Sequence, residues 1–225
     1  MIDAIIFDLD NCLAPADEVG AVLLEPMFAA IRDANRGTLA NPVLERAFDE
    51  CWRLPLDAVA SKYSFSAEML AAGWTVARTI AVSAPMAGYP DIAVLEKLPV
   101  ALFVVTSGFR MLQESKIDAL GLRATMTETH VDAIDEPHRK GKSGIFRDIV
   151  ERHRFDPGAV LVVGDNPESE IAAGNQLGMV TVQILRSGVT RGTNARHYIA
   201  SLSELYALLR DAYTLAPGET ANPTG

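Results

Sequence analysis

Four short runs of β-forming apolar residues, Ala4 to Phe7, Val100 to Val105, Ala159 to Val163 and Met179 to Leu185, are separated by stretches with helical spacing. No other feature constrains the fold as much. Runs that are apolar throughout, rather than at every second residue, belong to strands buried on both faces, and strands that alternate with helices pair in parallel. The expected architecture is α/β, a Rossmann-like doubly wound parallel sheet. Leu112, Lys116 and Leu120 form one helical stripe after the second run, with Gly121 as its stop, and Ile145, Ile149 and Arg152 form another before the third. With 49% hydrophobic residues in 225, the chain has ample material for a core.

One interval breaks the alternation. Between about Ala14 and Gly88 no strand candidate appears, and the segment reads as helical throughout. Leu24, Met27, Phe28 and Ile31 share a face. Asn41 and Pro42 read as an N-cap and first helical residue ahead of Val43, Leu44, Ala47, Phe48 and Cys51. A further helix is expected after Ser66, carrying Met69, Leu70, Trp74, Ala77 and Ile80. Such an insert predicts a small all-helical cap at 15–88, hinged near Pro15 and near Pro85 to Pro90, on a core formed by 1–14 and 89–213. The Pro- and Gly-containing tail 214–225 is expected to be disordered.

The 29 acidic and 20 basic side chains give a formal charge of −9, which argues against nucleic acid as a partner, because phosphate backbones are bound through clustered cations. The first residues carry no basic leader and no run approaches the ~20 apolar residues that span a bilayer, so the chain reads as soluble, cytoplasmic and without a membrane partner. Cys12 and Cys51 make neither a disulfide framework nor a zinc site, and Cys51 is expected to be buried.

Candidate chemistry gathers at the carboxyl ends of the predicted strands, where α/β sheets bind ligands. Asp8 and Asp10 end the first run, spaced so that a continuing strand would point both to one face. Two close carboxylates are costly unless a metal or a proton offsets them, although a role as loop caps stays open. Thr106, Ser107 and Gly108 end the second, with hydroxyls and free backbone N–H groups suited to phosphate oxygens or simply to capping the next helix. Lys140 and Lys142 precede the stripe at Ile145 and could serve an anion or remain solvated. Asp165 follows the third run directly and Glu170 lies five residues on, so that with Asp8 and Asp10 they could complete an oxygen-ligand Mg²⁺ site.

Taken together, these four motifs in chain order resemble the haloacid dehalogenase-like (HAD) hydrolase superfamily over about residues 1 to 210, and the insert looks like that superfamily's helical cap. The first motif, Asp10-Asn11-Cys12-Leu13, is also similar to that of pyrimidine 5′-nucleotidases. The resemblance implies a Mg²⁺-dependent phosphatase. In it Asp8 is the nucleophile that becomes an aspartyl-phosphate, and Asp10 is the general acid and then base. It also implies that Thr106 bonds a phosphoryl oxygen and that Lys140, chosen over Lys142 by the usual spacing back from Ile145 and Phe146, offsets charge on Asp8. Mg²⁺ would be held by the Asp8 carboxylate, the Asp10 carbonyl and Asp165, with Glu170 reaching it through a water or not directly. Cys12 and Glu170 depart from the commonest residues at their positions.

The expected substrate is a small phosphorylated metabolite, such as a nucleotide, sugar phosphate or phosphoglycolate-like ester, bound by a monomer or homodimer. Arg53, Lys62, Tyr63 and Arg78 are the cap candidates for specificity. A sugar-phosphate mutase would share the same chemistry, and a phosphoacceptor signalling domain would share its acidic residues, Thr, Lys and Mg²⁺, but not a helical lobe after the first strand.

Overall fold

The computed structural model describes residues 1–213, and the expectation for the tail 214–225 lies outside the described residues. Its centre is a sheet of six parallel strands: β1 (Ala4–Phe7), β2 (Ala101–Gly108), β3 (Glu128–Ala133), β4 (Val160–Gly164), β5 (Val180–Ile184) and β6 (His197–Ile199). Their order is β3-β2-β1-β4-β5-β6. The four apolar runs of the sequence are the four inner strands. β1 is buried along its whole length, with Ala4 registered against Ala101 of β2 on one side and Val160 of β4 on the other. Side chains alternate across it, so Ile5 and Phe7 join the apolar cluster on one face while Ala4 and Ile6 join the cluster on the other. Because the chain first winds outward from β1 to β3 and then crosses back to β4, the topological switch lies between the carboxyl ends of β1 and β4.

Both edge strands, β3 and β6, escape the sequence reading for the same physical reason. An edge strand is not enclosed on both sides, so Glu128-Thr129-His130 can be polar and β6 can stop after three residues.

Helices α1 (Glu25–Asn35), α2 (Asn41–Glu50), α3 (Leu56–Tyr63) and α4 (Ala67–Ala77) all lie between β1 and β2; α5 (Arg110–Ala119), α6 (Gly141–His153), α7 (Ala172–Gln176) and α8 (Leu202–Ala212) cover the sheet. The helical stripe Leu24, Met27, Phe28 and Ile31 is buried, and Phe28 stacks on Phe48 with ring centroids 4.4 Å apart. Ser66 caps α4 by accepting from the Met69 N–H at 3.2 Å. Three local expectations are corrected. Asn41 is already helical, because the Ala40 carbonyl accepts the first bonds, from Val43 and Leu44. The insert is also not helical to its end: α4 stops at Ala77, so Ile80 lies outside it, and 78–91 has no regular structure. Cys51 is half-buried rather than buried. Among the described residues no helix is long and apolar enough to cross a membrane.

The two connections to the insert are tied together. The Glu18 carboxylate accepts from the Ala87 N–H at 2.6 Å and the Gly88 N–H at 3.0 Å, and the Tyr89 N–H donates to the Leu13 carbonyl at 2.9 Å. Beneath them Arg186, at the end of β5, donates to Asp91 at 2.7 and 2.8 Å and to the Cys12 carbonyl at 2.9 Å, with its guanidinium 3.9 Å from the Tyr89 ring centroid. Asp91 in turn accepts from the N–H of Leu202 at the start of α8. This fork is almost fully buried, and removing one member strands the other. Arg186→Met is therefore expected to lower stability by about 3–5 kcal/mol, measured by urea denaturation; a loss below about 1 kcal/mol, typical of exposed pairs, would show that the fork does not anchor these connections.

Candidate active site

Asp8 is the first residue beyond β1, and its N–H donates to the Val163 carbonyl of β4 at 2.9 Å, so its position follows from the sheet register. Asn11, with φ of 56°, then turns the chain sharply; Asn tolerates this left-handed conformation better than most residues. The turn leaves Asp8 and Asp10 on the wall of one cleft of about 420 Å³, shared with Thr106, Lys142, Asp165 and Glu170. Ser107 and Gly108 also line it. The sheet thus brings together every core candidate read from the sequence except one.

The exception is Lys140. Its exposed ammonium pairs with Asp148, whereas Lys142 is buried, with its Nζ 2.7 Å from Asp8 Oδ1 and in contact with Glu170 Oε1. The reason is where the helix begins. Lys140 precedes α6, while Lys142 lies in its first turn on the same buried face as Phe146 and Ile149. That i, i+4, i+7 stripe is legible in the sequence and points to Lys142 once the helix start is placed at Gly141. A residue that the sequence reading missed fixes the start: Asp132, at the end of the unrecognised β3, accepts from the Gly141 N–H at 3.1 Å, from Arg139 at 2.6 Å and from the Ser107 hydroxyl at 3.3 Å.

Gly164 shows the same economy of space, since a Cβ there would sit 2.7 Å from Glu170 atoms. Only glycine lets Glu170 fold back over β4 towards Lys142. Gln183, buried at the end of β5, holds the neighbouring loop by donating to the Asp165 carbonyl at 2.8 Å.

Asp10 has its own partners. Lys116 Nζ donates to its Oδ1 at 2.7 Å, and Gln113 Nε2 donates to its Oδ2 at 3.0 Å. Four carboxylates, Asp8, Asp10, Asp165 and Glu170, therefore face two ammonium groups, Lys116 and Lys142. Burial, and then the charge of Glu170, push the Asp8 carboxyl well above the usual carboxylate range, with Lys142 opposing them. Burial, and then Glu170, also push Asp165 up to about 7. Burial alone would lower the Lys142 ammonium, but Asp8 and Glu170 reverse it and hold the lysine above its ordinary value.

Asp8, Asp165 and Glu170 each offer a carboxylate oxygen within 4.8 Å of the others, an all-oxygen donor set that fits a hard divalent cation. Lys142 uses one oxygen of Glu170 and the Asn166 N–H, at 3.2 Å, uses the other, so the freer ligands are Asp8 and Asp165.

Of the cap candidates, Arg53 lines the cleft; Lys62 and Tyr63 are bound to Glu50, and Arg78 lies over Trp74, 5.2 Å from its ring centroid. A second, more open depression of about 760 Å³ runs along β3 and α6, but its cations Arg110, Arg139, Lys140 and Arg152 are all paired with carboxylates.

The electrostatics set a sign for stability in the absence of metal. Asp165 titrates near 3.8 ordinarily and near 7 when folded, so the stability it contributes is complete below about 4 and is lost as pH rises through about 7. In excess chelator Asp165→Asn should accordingly gain on the order of 1 kcal/mol over wild type at pH 8, roughly 2–4 °C in Tm, and less than half of that at pH 5. Thermal melts at the two pH values check this, and an equal shift at both would remove the buried charge as its cause.

The family model for haloacid dehalogenase-like hydrolases matches residues 2–178. No curated protein matches the chain. Solved structures similar to it include a HAD phosphatase from Thermococcus onnurineus, 22% identical over 92% of this chain and 98% of that chain, with a TM-score of 0.64. The HAD-hydrolase YfnB from Bacillus subtilis, bound to magnesium, is 19% identical over 92% and 98%, with a TM-score of 0.62. A 2-haloacid dehalogenase from Pseudomonas syringae pv. Tomato DC3000 is 20% identical over 93% and 99%, with a TM-score of 0.54. At these identities the likeness speaks for the fold, while the family match spans most of the chain and includes every strand-end carboxylate of the cleft. The chain belongs to the haloacid dehalogenase-like hydrolases and is a hydrolase.

Proposed function

We propose that the protein is a Mg²⁺-dependent phosphatase of small phosphomonoesters, working through an aspartyl-phosphate on Asp8. The observation that carries this reading is Asp10, whose carboxylate shares the cleft with Asp8. A halide leaves as a stable anion and needs no proton, whereas the alkoxide expelled from a phosphate ester does. Phosphatases and dehalogenases both occur among the similar folds, and a carboxyl group at position 10 favours the phosphatase.

In the proposed reaction an Asp8 carboxylate oxygen forms a bond to phosphorus as the bond to the ester oxygen breaks, and Asp10 gives that oxygen its proton. Asp10 then takes a proton from the water that hydrolyses the aspartyl-phosphate, which regenerates Asp8 and releases phosphate. Lys142, held against Asp8 and Glu170, favours the ionised form of the nucleophile, holds it in place and offsets charge on the phosphoryl group. Thr106, buried at the end of β2, is suited to donate to a phosphoryl oxygen. Mg²⁺, held by Asp8 and Asp165, would neutralise the charge shared by nucleophile and phosphoryl oxygens. Helices α1 to α4 act as the cap, and the substrate's organic group lies between them and the core.

The test separates the two aspartates. With a labelled aryl phosphate, whose leaving group needs little protonation, Asp10→Ala should give a stoichiometric burst on Asp8 followed by slow turnover, and Asp8→Asn no burst and a loss of at least about 10³ in kcat. Rapid quench followed by peptide mass spectrometry reads both. Label that never reaches Asp8 in the Asp10 variant, while wild type turns the ester over, would mean that water attacks phosphorus directly.

The lysine assignment has its own outcome. Lys142→Met should lose at least on the order of 10² in kcat/KM, and Lys140→Met should stay within about twofold of wild type, because removing a donor at the transferring group costs that much while an exposed pair does not. Steady-state kinetics on the two variants decide it, and the reverse ranking returns the role to Lys140.

A further inference from the structure

We infer that Lys116 and Gln113, on α5, are positioning residues that set the orientation of Asp10 for proton transfer. Neither belongs to the four strand-end motifs. They lie one helical turn apart and both are buried, and together they engage the two carboxylate oxygens of Asp10 separately: Lys116 holds Oδ1 at 2.7 Å and Gln113 holds Oδ2 at 3.0 Å. A carboxyl group gripped at both oxygens cannot rotate about its terminal torsion, a torsion that is otherwise broad.

Gln113 shows that this grip outranks local satisfaction. Its Nε2 also donates to the Ser107 carbonyl at 3.3 Å, so the amide has one orientation that meets two acceptors, and in that orientation its Oε1 is buried without a partner among the described residues. Buried polar atoms are rarely left so, and here the amide is turned to meet Asp10 and the Ser107 carbonyl with its Nε2 rather than to satisfy its own oxygen. Gly108 makes room for the same contact, since a Cβ there would meet Gln113 Nε2 at 2.5 Å. The approach of Gln113 thus gives position 108 a reason to be glycine that is separate from any contact with phosphate.

Lys116 is a separate cation from Lys142. It touches Asp10 and neither Asp8 nor Glu170 among the described contacts, so the nucleophile and the acid/base each have their own ammonium group. Its loss should therefore impair the proton-transfer steps and spare the attack by Asp8. In kinetic terms, kcat/KM reports phosphoryl transfer to Asp8 as the first irreversible step. For an alkyl phosphate that step needs a proton from Asp10; for an aryl phosphate it scarcely does.

This inference rests on the phosphatase reading, and the experiment distinguishes the failure of each. An alkyl and an aryl phosphate are compared in wild type, Lys116→Met, Lys116→Arg, Asp10→Asn and the Asp10→Asn/Lys116→Met double variant, all in saturating Mg²⁺. Lys116→Met is expected to lower kcat/KM by on the order of 10² for the alkyl ester and by less than about fivefold for the aryl ester, with KM little changed. Lys116→Arg should recover the alkyl activity to within about tenfold. In the Asp10→Asn background Lys116→Met should change neither ester by more than about twofold, because it acts through a group already removed. Gln113→Met, put through the same cycle, gives the answer if Lys116→Met does not fold. Equal losses for both esters, or an undiminished loss in the Asp10→Asn background, would overturn the positioning role and leave the phosphatase reading standing. Wild type that hydrolyses neither ester would withdraw both.

Discussion

The structure depends on housing the Asp8 carboxyl group at the buried end of a hydrophobic strand, where burial and Glu170 disfavour its charge and Lys142 opposes them. Taking a carboxylate out of water costs several kcal/mol even after relaxation, and the cost is recovered only by partners held at short range. Lys142 is that partner; it also pairs with Glu170, and glycine at 164 leaves the room for Glu170 to close over β4. The start of α6 must sit where Lys142 can reach, and Asp132 fixes it by accepting from the Gly141 N–H. The ends of β1, β3 and β4 and the first turn of α6 thus converge on one buried ion-pair cluster. An excess of carboxylates over lysines remains, and it falls at the topological switch point, where a divalent ion would complete the balance.

What the sequence made legible follows from burial. Ala4 to Phe7 and the three other inner strands are apolar on both faces and announce themselves, and so do the carboxylates that end them, because charge directly after such a run is conspicuous. β3 carries Glu128 and His130 towards solvent, and with it went Asp132 and the true start of α6. Spacing back from Ile145 and Phe146 points to Lys140, whereas the ammonium that reaches the cleft is that of Lys142, two residues on. Lys116 was visible only as a member of an apolar stripe. Its partner Asp10 is 106 residues away, and no local pattern can show that the stripe faces a carboxylate rather than a core.

The two walls of the cleft differ in kind. The core side supplies carboxylates, lysines and the Thr106 hydroxyl; the insert supplies Leu24, Met27, Trp52, Leu56 and Ile80, with Arg53 at its edge. The same apolar cluster that holds the helices of the insert together reaches Phe109 and Ile134 of the core. The surface on which the insert packs is therefore continuous with the wall of the cleft. Under the proposed mechanism, water displaced from that surface would strengthen the interaction of Lys142 with Asp8 and shield an acyl phosphate from uncontrolled hydrolysis.

Helix α5 links that surface to Asp10. Leu112 packs against the insert cluster, while Gln113 and Lys116, on the adjoining face, hold the carboxylate. The chain returning from the insert also runs along α5: the Val82 N–H donates to the Ser115 hydroxyl at 2.8 Å and the Met86 N–H to the Ala119 carbonyl at 3.0 Å. Among the described residues the side-chain partner of Asp8 is Lys142 of α6, on the other side of the switch point. A shift of the insert would consequently be felt at Asp10 before Asp8. Under the proposed mechanism, in which the site must exclude water while phosphorus is attacked and admit it for hydrolysis, that asymmetry would place the mechanical connection at the residue that handles water.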